Sequence, residues 1–271
     1  MKIIISHDVD YITFSEHKRN LVIPKYFART IIEYLSGYLT KFELIGRIRA
    51  LFQDRYGNTK TQIAFDKAHG IPSTFFVAVN RGRDNLCYSL KTAADWIQRI
   101  KQADFDVGVH GIAFDDAEAI SLEYMRFRDI VASDVFGVRI HYIRTISRTL
   151  EYLADCGYLF DSTVFAMENP KRIGHMWEFP LCLMDVHVMN NGGRWQQRTL
   201  AQAKSATIAA VEEALARKLK YFTILFHDQN FCDGYLTWKR WYIWMIEYFK
   251  RNDLNFINYR QAIRELDGSG K

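Results

Sequence analysis

The sequence predicts an α/β fold built on a largely parallel sheet, and three observations carry that expectation. Short, almost wholly apolar runs recur at residues 2–6, 73–79, 106–109, 179–184 and 221–226, as strands buried on both faces do. Between most of them apolar residues return every three or four positions, at 91–102, 147–156, 200–218 and 235–250, the spacing of amphipathic helices. Three of the apolar runs end in Asp or His, which puts polar chemistry at strand C-termini, where parallel barrels carry their active sites.

The 271 residues, 49% of them hydrophobic, can fill one large α/β barrel or two small domains. No internal repeat, low-complexity tract or Pro/Gly-rich linker divides the chain, so one domain over 1–271 is expected. The final helix, 235–250, follows Gly234 and closes on Lys250 and Arg251, cations suited to the negative end of a helix dipole. Residues 11–60 interrupt the strand–helix rhythm with an aromatic and basic stretch, read as a helical insertion that forms a lid or an oligomer contact. Core packing is the expectation for its apolar residues, with an anionic membrane surface as the alternative.

Lys and Arg number 36 against 31 Asp and Glu, a net charge of +5 scattered along the chain; no nucleic-acid partner is expected. Cys87, Cys156, Cys182 and Cys232 lie far apart without a C-x-x-C pair, which argues against a zinc ribbon or disulfide framework and for reduced thiols. The run Met1-Lys2-Ile3-Ile4-Ile5 turns polar at Ser6, too early for the roughly 7–15 apolar residues of a signal-peptide core. No stretch reaches the roughly 20 apolar residues of a membrane helix. A soluble, cytoplasmic protein without a transmembrane segment is the resulting expectation, and nothing in the sequence sets its oligomeric state.

Asp8 and Asp10 stand two residues apart where the first apolar run ends, so the strand's period of two points both carboxylates to one side and His7 and Val9 to the other. Taken alone, the pair also fits a strand-end turn accepting backbone N–H groups. His110 ends the run at 106–109 and His227 the run at 221–226. Each imidazole alone could be a satisfied structural histidine, but three strands ending in acid or imidazole favour one shared polar site. A carboxylate and an imidazole on a divalent cation leave positions open for water and a carbonyl oxygen. A second carboxylate and a second imidazole then divide the base and acid work.

Several segments make the chain resemble the NodB-homology polysaccharide deacetylases. Ser6-His7-Asp8-Val9-Asp10 is similar to that family's first motif, His69-Gly70-Ile71-Pro72-Ser73-Thr74-Phe75-Phe76-Val77 to its second strand, and Val107-Gly108-Val109-His110-Gly111 to its second motif. Gly137-Val138-Arg139-Ile140-His141-Tyr142 resembles the third motif and Leu225-Phe226-His227 the last, with weaker likeness at 157–163 and 179–185. The resemblance implies a distorted (β/α) barrel of about seven parallel strands, a divalent metal such as zinc, cobalt or nickel, and amide hydrolysis. It implies Asp8 as general base, Asp10 and His110 as metal ligands, Arg139 as the group steadying the base, and His227 as general acid.

One position departs from the pattern. The family's second metal-binding histidine stands four residues after the first, and Phe114 occupies that place. Asp115, a hard oxygen donor, is the substitute ligand expected here, with Asp116 behind it. The implied substrate is an N-acetylated amino sugar of a polysaccharide or, in the cytoplasm, of a nucleotide- or lipid-linked precursor. A small-molecule amide or cyclic-amide hydrolase is the alternative enzyme, because function follows the site rather than the fold. A catalytically lost carbohydrate-binding or assembly module is the third reading, resting on Phe114. Trp177, Trp238 and Trp241 offer sugar-stacking faces, although the spacing of the last two is that of core residues.

Overall fold

A computed structural model describes residues 1–18, 21–80 and 88–268; Cys87 lies outside them. Among the described residues nine strands form one sheet: β1 (Lys2–Val9), β2 (Thr74–Val77), β3 (Asp106–Gly111), β4 (Val138–Ile140), β5 (Phe160–Asp161), β6 (Lys171–Ile173), β7 (Met176–Glu178), β8 (Leu183–Met184) and β9 (Tyr221–Leu225). Their order is β6-β7-β5-β4-β3-β2-β1-β9-β8, and every neighbouring pair is parallel except β6 with β7. The sheet curls, and the backbone of Leu181, just before β8, bonds to Val164 and Ala166, just after β5. The result is the distorted (β/α) barrel that the sequence implies. The run expected at 179–184 supplies only the two residues of β8, because Pro180 has no N–H for a ladder.

Among the described residues ten α-helices flank the sheet: α1 (Val22–Leu35), α2 (Lys41–Phe52), α3 (Thr59–His69), α4 (Leu90–Gln102), α5 (Ala117–Val131), α6 (Thr149–Cys156), α7 (Asp185–Asn190), α8 (Leu200–Ala216), α9 (Leu236–Arg251) and α10 (Tyr259–Leu266). Capping boxes start three of them, at Thr40 with Glu43, Thr199 with Gln202 and Asn258 with Gln261, each satisfying otherwise orphaned N–H groups. None of the described helices is long and apolar enough to cross a membrane. One apolar core packs α4, α5 and α6 on β2, β3 and β4; a second packs α8 and α9 on β1 and β9. A third, aromatic cluster of Ile4, Phe76, Phe160, Phe179, Tyr221 and Tyr259 fills the space the strands enclose. Trp238 and Trp241 belong to the second core and are buried, which removes them as sugar-stacking faces.

The stretch 11–60 supplies α1 and α2. Their inner sides bury charge: Glu33 of α1 pairs with Arg47 of α2 at 2.7 Å, and neither side chain is exposed. Arg47 Nε donates to Gly234 O at 2.8 Å and Glu43 Oε1 accepts from Thr237 N at 2.9 Å, tying the helices to the start of α9. Their outer sides do not pack on a core as expected, since Phe27, Ile31, Leu35, Phe42, Ile45 and Phe52 face solvent. The segment leaving α2 returns against the end of β1, where Tyr56 and Gly57 N–H groups both donate to Ile12 O. A Cβ on Gly57 would stand 2.2 Å from Tyr11 O, a backbone atom that cannot swing away. Gly57→Ala should therefore cost about 1–3 kcal/mol of stability; an unchanged urea midpoint would contradict this contact.

Candidate active site

Strand alternation delivers the pair at the end of β1 as the sequence predicts. Asp8 and Asp10 open into one cavity of about 280 Å³, shared with His141 and His227. His7 points the other way, its Nδ1–H donating to Phe226 O and its Nε2 lying 2.8 Å from Asp66 Oδ2. Asp66 also accepts from Ser73, Gln62 and Tyr242. That buried network anchors the underside of β1 to α3 and α9.

Arg139 on β4 fixes Asp8. Its Nη1 donates to Asp8 Oδ1 at 3.0 Å, Nε to Ser162 O at 2.9 Å, and Nη2 to Ser162 Oγ and Tyr259 OH at 3.1 and 3.0 Å. The guanidinium is fully buried and each of its three nitrogens makes a hydrogen bond, which supports one orientation of the Asp8 carboxylate. Asp8 Oδ2 stands 3.8 Å from His110 Nδ1.

Asp10 sits among imidazoles. His110 Nε2 lies 3.1 Å and His141 Nδ1 3.5 Å from Asp10 Oδ1, and the two nitrogens face each other at 2.9 Å. These three residues are the group of His, Cys, Asp or Glu side chains among the described residues able to share a metal ion, their ligand atoms within 4.8 Å of one another. Spacings near 3 Å suit ligands held at about 2.0–2.2 Å from one cation. His110 Nδ1–H donates to Arg139 O at 3.1 Å, which aims Nε2 at the cluster, where it donates to Asp10 while protonated and offers a lone pair once that proton leaves. Burial opposes charge on Asp10, yet hydrogen bonds from His110 and His141 hold its carboxyl well below the usual range. Burial likewise opposes the His110 cation, but Asp8 and Asp10 raise its pKa.

His141 is the residue that sequence reasoning missed. It follows β4 as His110 follows its own apolar run, so the strand-end signature used for His110 and His227 would have found it. The chain turns sharply after it: Tyr142 and Ile143 have φ of +58° and +49°, a conformation costing a β-branched residue about 1–2 kcal/mol. That turn places Tyr142 and Ile143 on the cavity wall. Asp115, expected to replace the missing histidine, lies exposed on the loop after β3 and outside the cluster, while Asp116 caps α5 by accepting from Glu118 and Ala119 N–H. Phe114 is half-buried against the core, with the Arg144 guanidinium 4.7 Å from its ring. Buried Glu123 braces the loop by accepting from Ile112 and Ala113 N–H; burial lifts its carboxyl to about 7.

His227 follows β9 and faces the cluster from the opposite wall, its Nε2 3.7 Å from Asp10 Oδ2. Its Nδ1–H donates to Asp185 Oδ1 at 2.7 Å, and Asp185 Oδ2 accepts from His227 N and Asn230 Nδ2, both at 2.9 Å. Asp185, fully buried, is a second site residue to which the sequence assigned no role. Burial disfavours the imidazolium, but Asp185 first, then Asp10 and Asp8, raise its pKa to about 10.

The sequence matches no protein-family model and no curated protein sequence at a significant level. Among solved structures the chain is similar to a Mycobacterium smegmatis protein assigned to the polysaccharide deacetylases, with TM-score 0.67, 17% identity, and 97% of this chain and 88% of that one covered. It is similar to PuuE allantoinase, with TM-score 0.63, 12% identity, and coverage of 99% and 90%. A third likeness is to a Pseudomonas aeruginosa protein also assigned to the polysaccharide deacetylases, with TM-score 0.61, 12% identity, and coverage of 97% and 89%.

The geometry of the cluster has direct consequences for metal uptake. In calorimetric titration with zinc, His141→Ala and Asp10→Asn should each lose at least about 10-fold in affinity, whereas Asp115→Asn should bind as wild type does. Because His110 has to surrender its proton to become a ligand and the nearby carboxylates raise its pKa, affinity should rise with pH as that imidazole deprotonates. Loss of binding in Asp115→Asn with retention in His141→Ala would reverse the ligand assignment. In its architecture the chain has the fold of the polysaccharide deacetylases.

Proposed function

We propose that the protein is a metal-dependent amide hydrolase that removes an N-acetyl group from an amino sugar of a glycan or glycan precursor. The observation that carries this reading is the placement of two separately braced groups, Asp8 on Arg139 and His227 on Asp185, around the Asp10–His110–His141 cluster in one cavity. Held by those three residues, a divalent cation such as zinc, cobalt or nickel would supply Lewis acidity toward an amide carbonyl and a water. Asp8 accepts the proton of the attacking water, and Arg139 keeps that carboxylate oriented and charge-balanced. As the C–N bond breaks, His227 Nε2 donates its proton to the departing nitrogen, while Asp185 retains the Nδ1 proton and supports the ring. Water oxygen ends in the carboxylate product and the sugar leaves as a free amine.

The deacetylase-like solved structures favour a carbohydrate substrate. One observation favours a second reading: a cavity of about 280 Å³ suits a single small ring, and an allantoinase shares the fold, so a small cyclic amide is the alternative. Purified protein loaded with zinc, cobalt or nickel should release acetate from acetylated chito-oligosaccharides or acetylated monosaccharides, and Asp8→Asn should lower kcat by about 10²–10⁴-fold. Ring opening of cyclic amides without acetate release would select the alternative; hydrolysis of neither would sink the enzyme reading.

The acid role of His227 makes a signed pH prediction. Activity requires its protonated form, so the rate should fall as pH rises through its pKa. Asp185 is the chief group raising that pKa, and Asp185→Asn should move the alkaline limb of kcat/KM to lower pH. An alkaline limb that Asp185→Asn leaves in place would remove His227 from the acid role.

A further inference from the structure

The cavity has a basic wall that the hydrolytic chemistry does not use. Arg29, on α1, lines the same cavity as Asp8, Asp10 and His227. Its Nε donates to Glu33 Oε1 at 2.9 Å, and its guanidinium carbon lies 5.4 Å from the ring centres of Tyr235 and Trp238. The neighbouring carboxylate is already engaged. Glu33 Oε2 pairs with Arg47 Nη2 at 2.7 Å and Oε1 also accepts from Gln196 N at 3.0 Å. Two guanidinium cations thus share one buried carboxylate, which leaves one positive charge in excess. The acids in the cavity do not balance it, because Asp8 is paired with Arg139 and Asp10 lies among three imidazoles. Arg29 Nη2 is shielded from solvent and makes no hydrogen bond. The Arg29 side chain is 24% exposed, so the cation itself is partly hydrated, but its shielded, unused Nη2 donor is unsatisfied unless an acceptor reaches it from the cavity.

Building on the assignment of this cavity as the active site, we propose that Arg29 is a substrate-positioning residue that binds an anionic group of the substrate, a carboxylate or a phosphate. The preferred substrate is then a sugar derivative that carries an acidic group beside its amide, turned over more readily than a neutral acetylated sugar, and the insertion is the element that selects it. A guanidinium fork suits both anions. The test reads binding without turnover. Chelator-treated, dialysed protein is heated with methyl phosphate, with glucuronate, or with neutral methyl glucoside at constant ionic strength. Wild type should be stabilised by one or both anions and not by the neutral sugar, and the anion that acts identifies the group. Arg29→Gln should weaken that anion's binding by at least 10-fold, while Arg29→Lys, which keeps the charge, should retain part of it. An equal response in wild type and Arg29→Gln would overturn the proposal, as would no response in wild type. A protein that hydrolyses neutral amides yet ignores anions would keep its proposed chemistry and lose this substrate class.

A separate observation concerns the opposite side of the insertion. Leu35, Phe42 and Phe52 are 78%, 81% and 85% exposed, and Phe27, Ile31, Ile45 and Ile48 accompany them on the outer sides of α1 and α2. Within these two helices each exposed charged residue, Lys25, Lys41 and Arg49, is a cation, and both acids, Glu33 and Glu43, are buried. A second copy of this face would bring like charges together, whereas anionic lipid headgroups complement it. We infer that α1 and α2 dock on an anionic membrane surface. The protein should co-sediment with phosphatidylcholine vesicles containing phosphatidylglycerol more than with phosphatidylcholine alone, and added salt should weaken this. The double variant Phe42→Ser/Phe52→Ser should lower vesicle affinity by at least 10-fold. Absence of vesicle binding, or a dimer that the double variant dissociates, would overturn the inference.

Discussion

Arg139 carries a full positive charge with no surface in contact with water, and the mouth of the barrel is organised around that fact. A buried guanidinium is tolerated only when its donors are met, and here they reach β1 through Asp8, the turn after β5 through Ser162, and α10 through Tyr259. One side chain therefore sets the orientation of the proposed base and holds three separate parts of the chain to one another. Removing one partner of such a pair typically costs about 3–5 kcal/mol, so site and scaffold cannot be relaxed independently. His110 is tied in as well, since its Nδ1 donates to the carbonyl of Arg139 itself.

The second constraint is the turn after β4. Two successive non-glycine residues with positive φ, one of them β-branched, are held there, and the histidine just before them completes the cluster. Local strain of this kind persists only where surrounding contacts outweigh it. The position left empty of histidine in the loop after β3 is instead occupied by an aromatic residue that packs. A candidate donor comes instead from the residue that follows the next strand of the sheet, which register makes possible: His110 is the neighbour of Arg139 across β3 and β4, two residues from His141.

The insertion works on both its sides. Inward it carries buried charge, with two arginines around Glu33, and brings Arg29 and Tyr11 to the cavity wall. Outward it is apolar and fringed by cations. Such a surface would be a liability for a purely structural element, which is why it is read as a docking face. The two features lie on one pair of helices, so a substrate held near a charged surface would meet the cavity close by.

Much of the architecture is legible in the chain itself. Apolar runs and helical spacing determine an α/β fold, and the strand period alone sends Asp8 and Asp10 to one face and His7 to the other. Strand-end placement marks His110 and His227 for the same reason. What the sequence leaves undecided depends on contacts between residues far apart in it. The two-residue β5 and β8 have no periodicity to read, and the solvent-facing side of α1 and α2 cannot be told from a core-facing one by composition. Asp115 is close to His110 in sequence yet turned to solvent, whereas His141, thirty-one positions away, sits 2.9 Å from it. Ligand sets are defined by distance in space, and only the pairing of β3 with β4 decides which donors converge on Asp10.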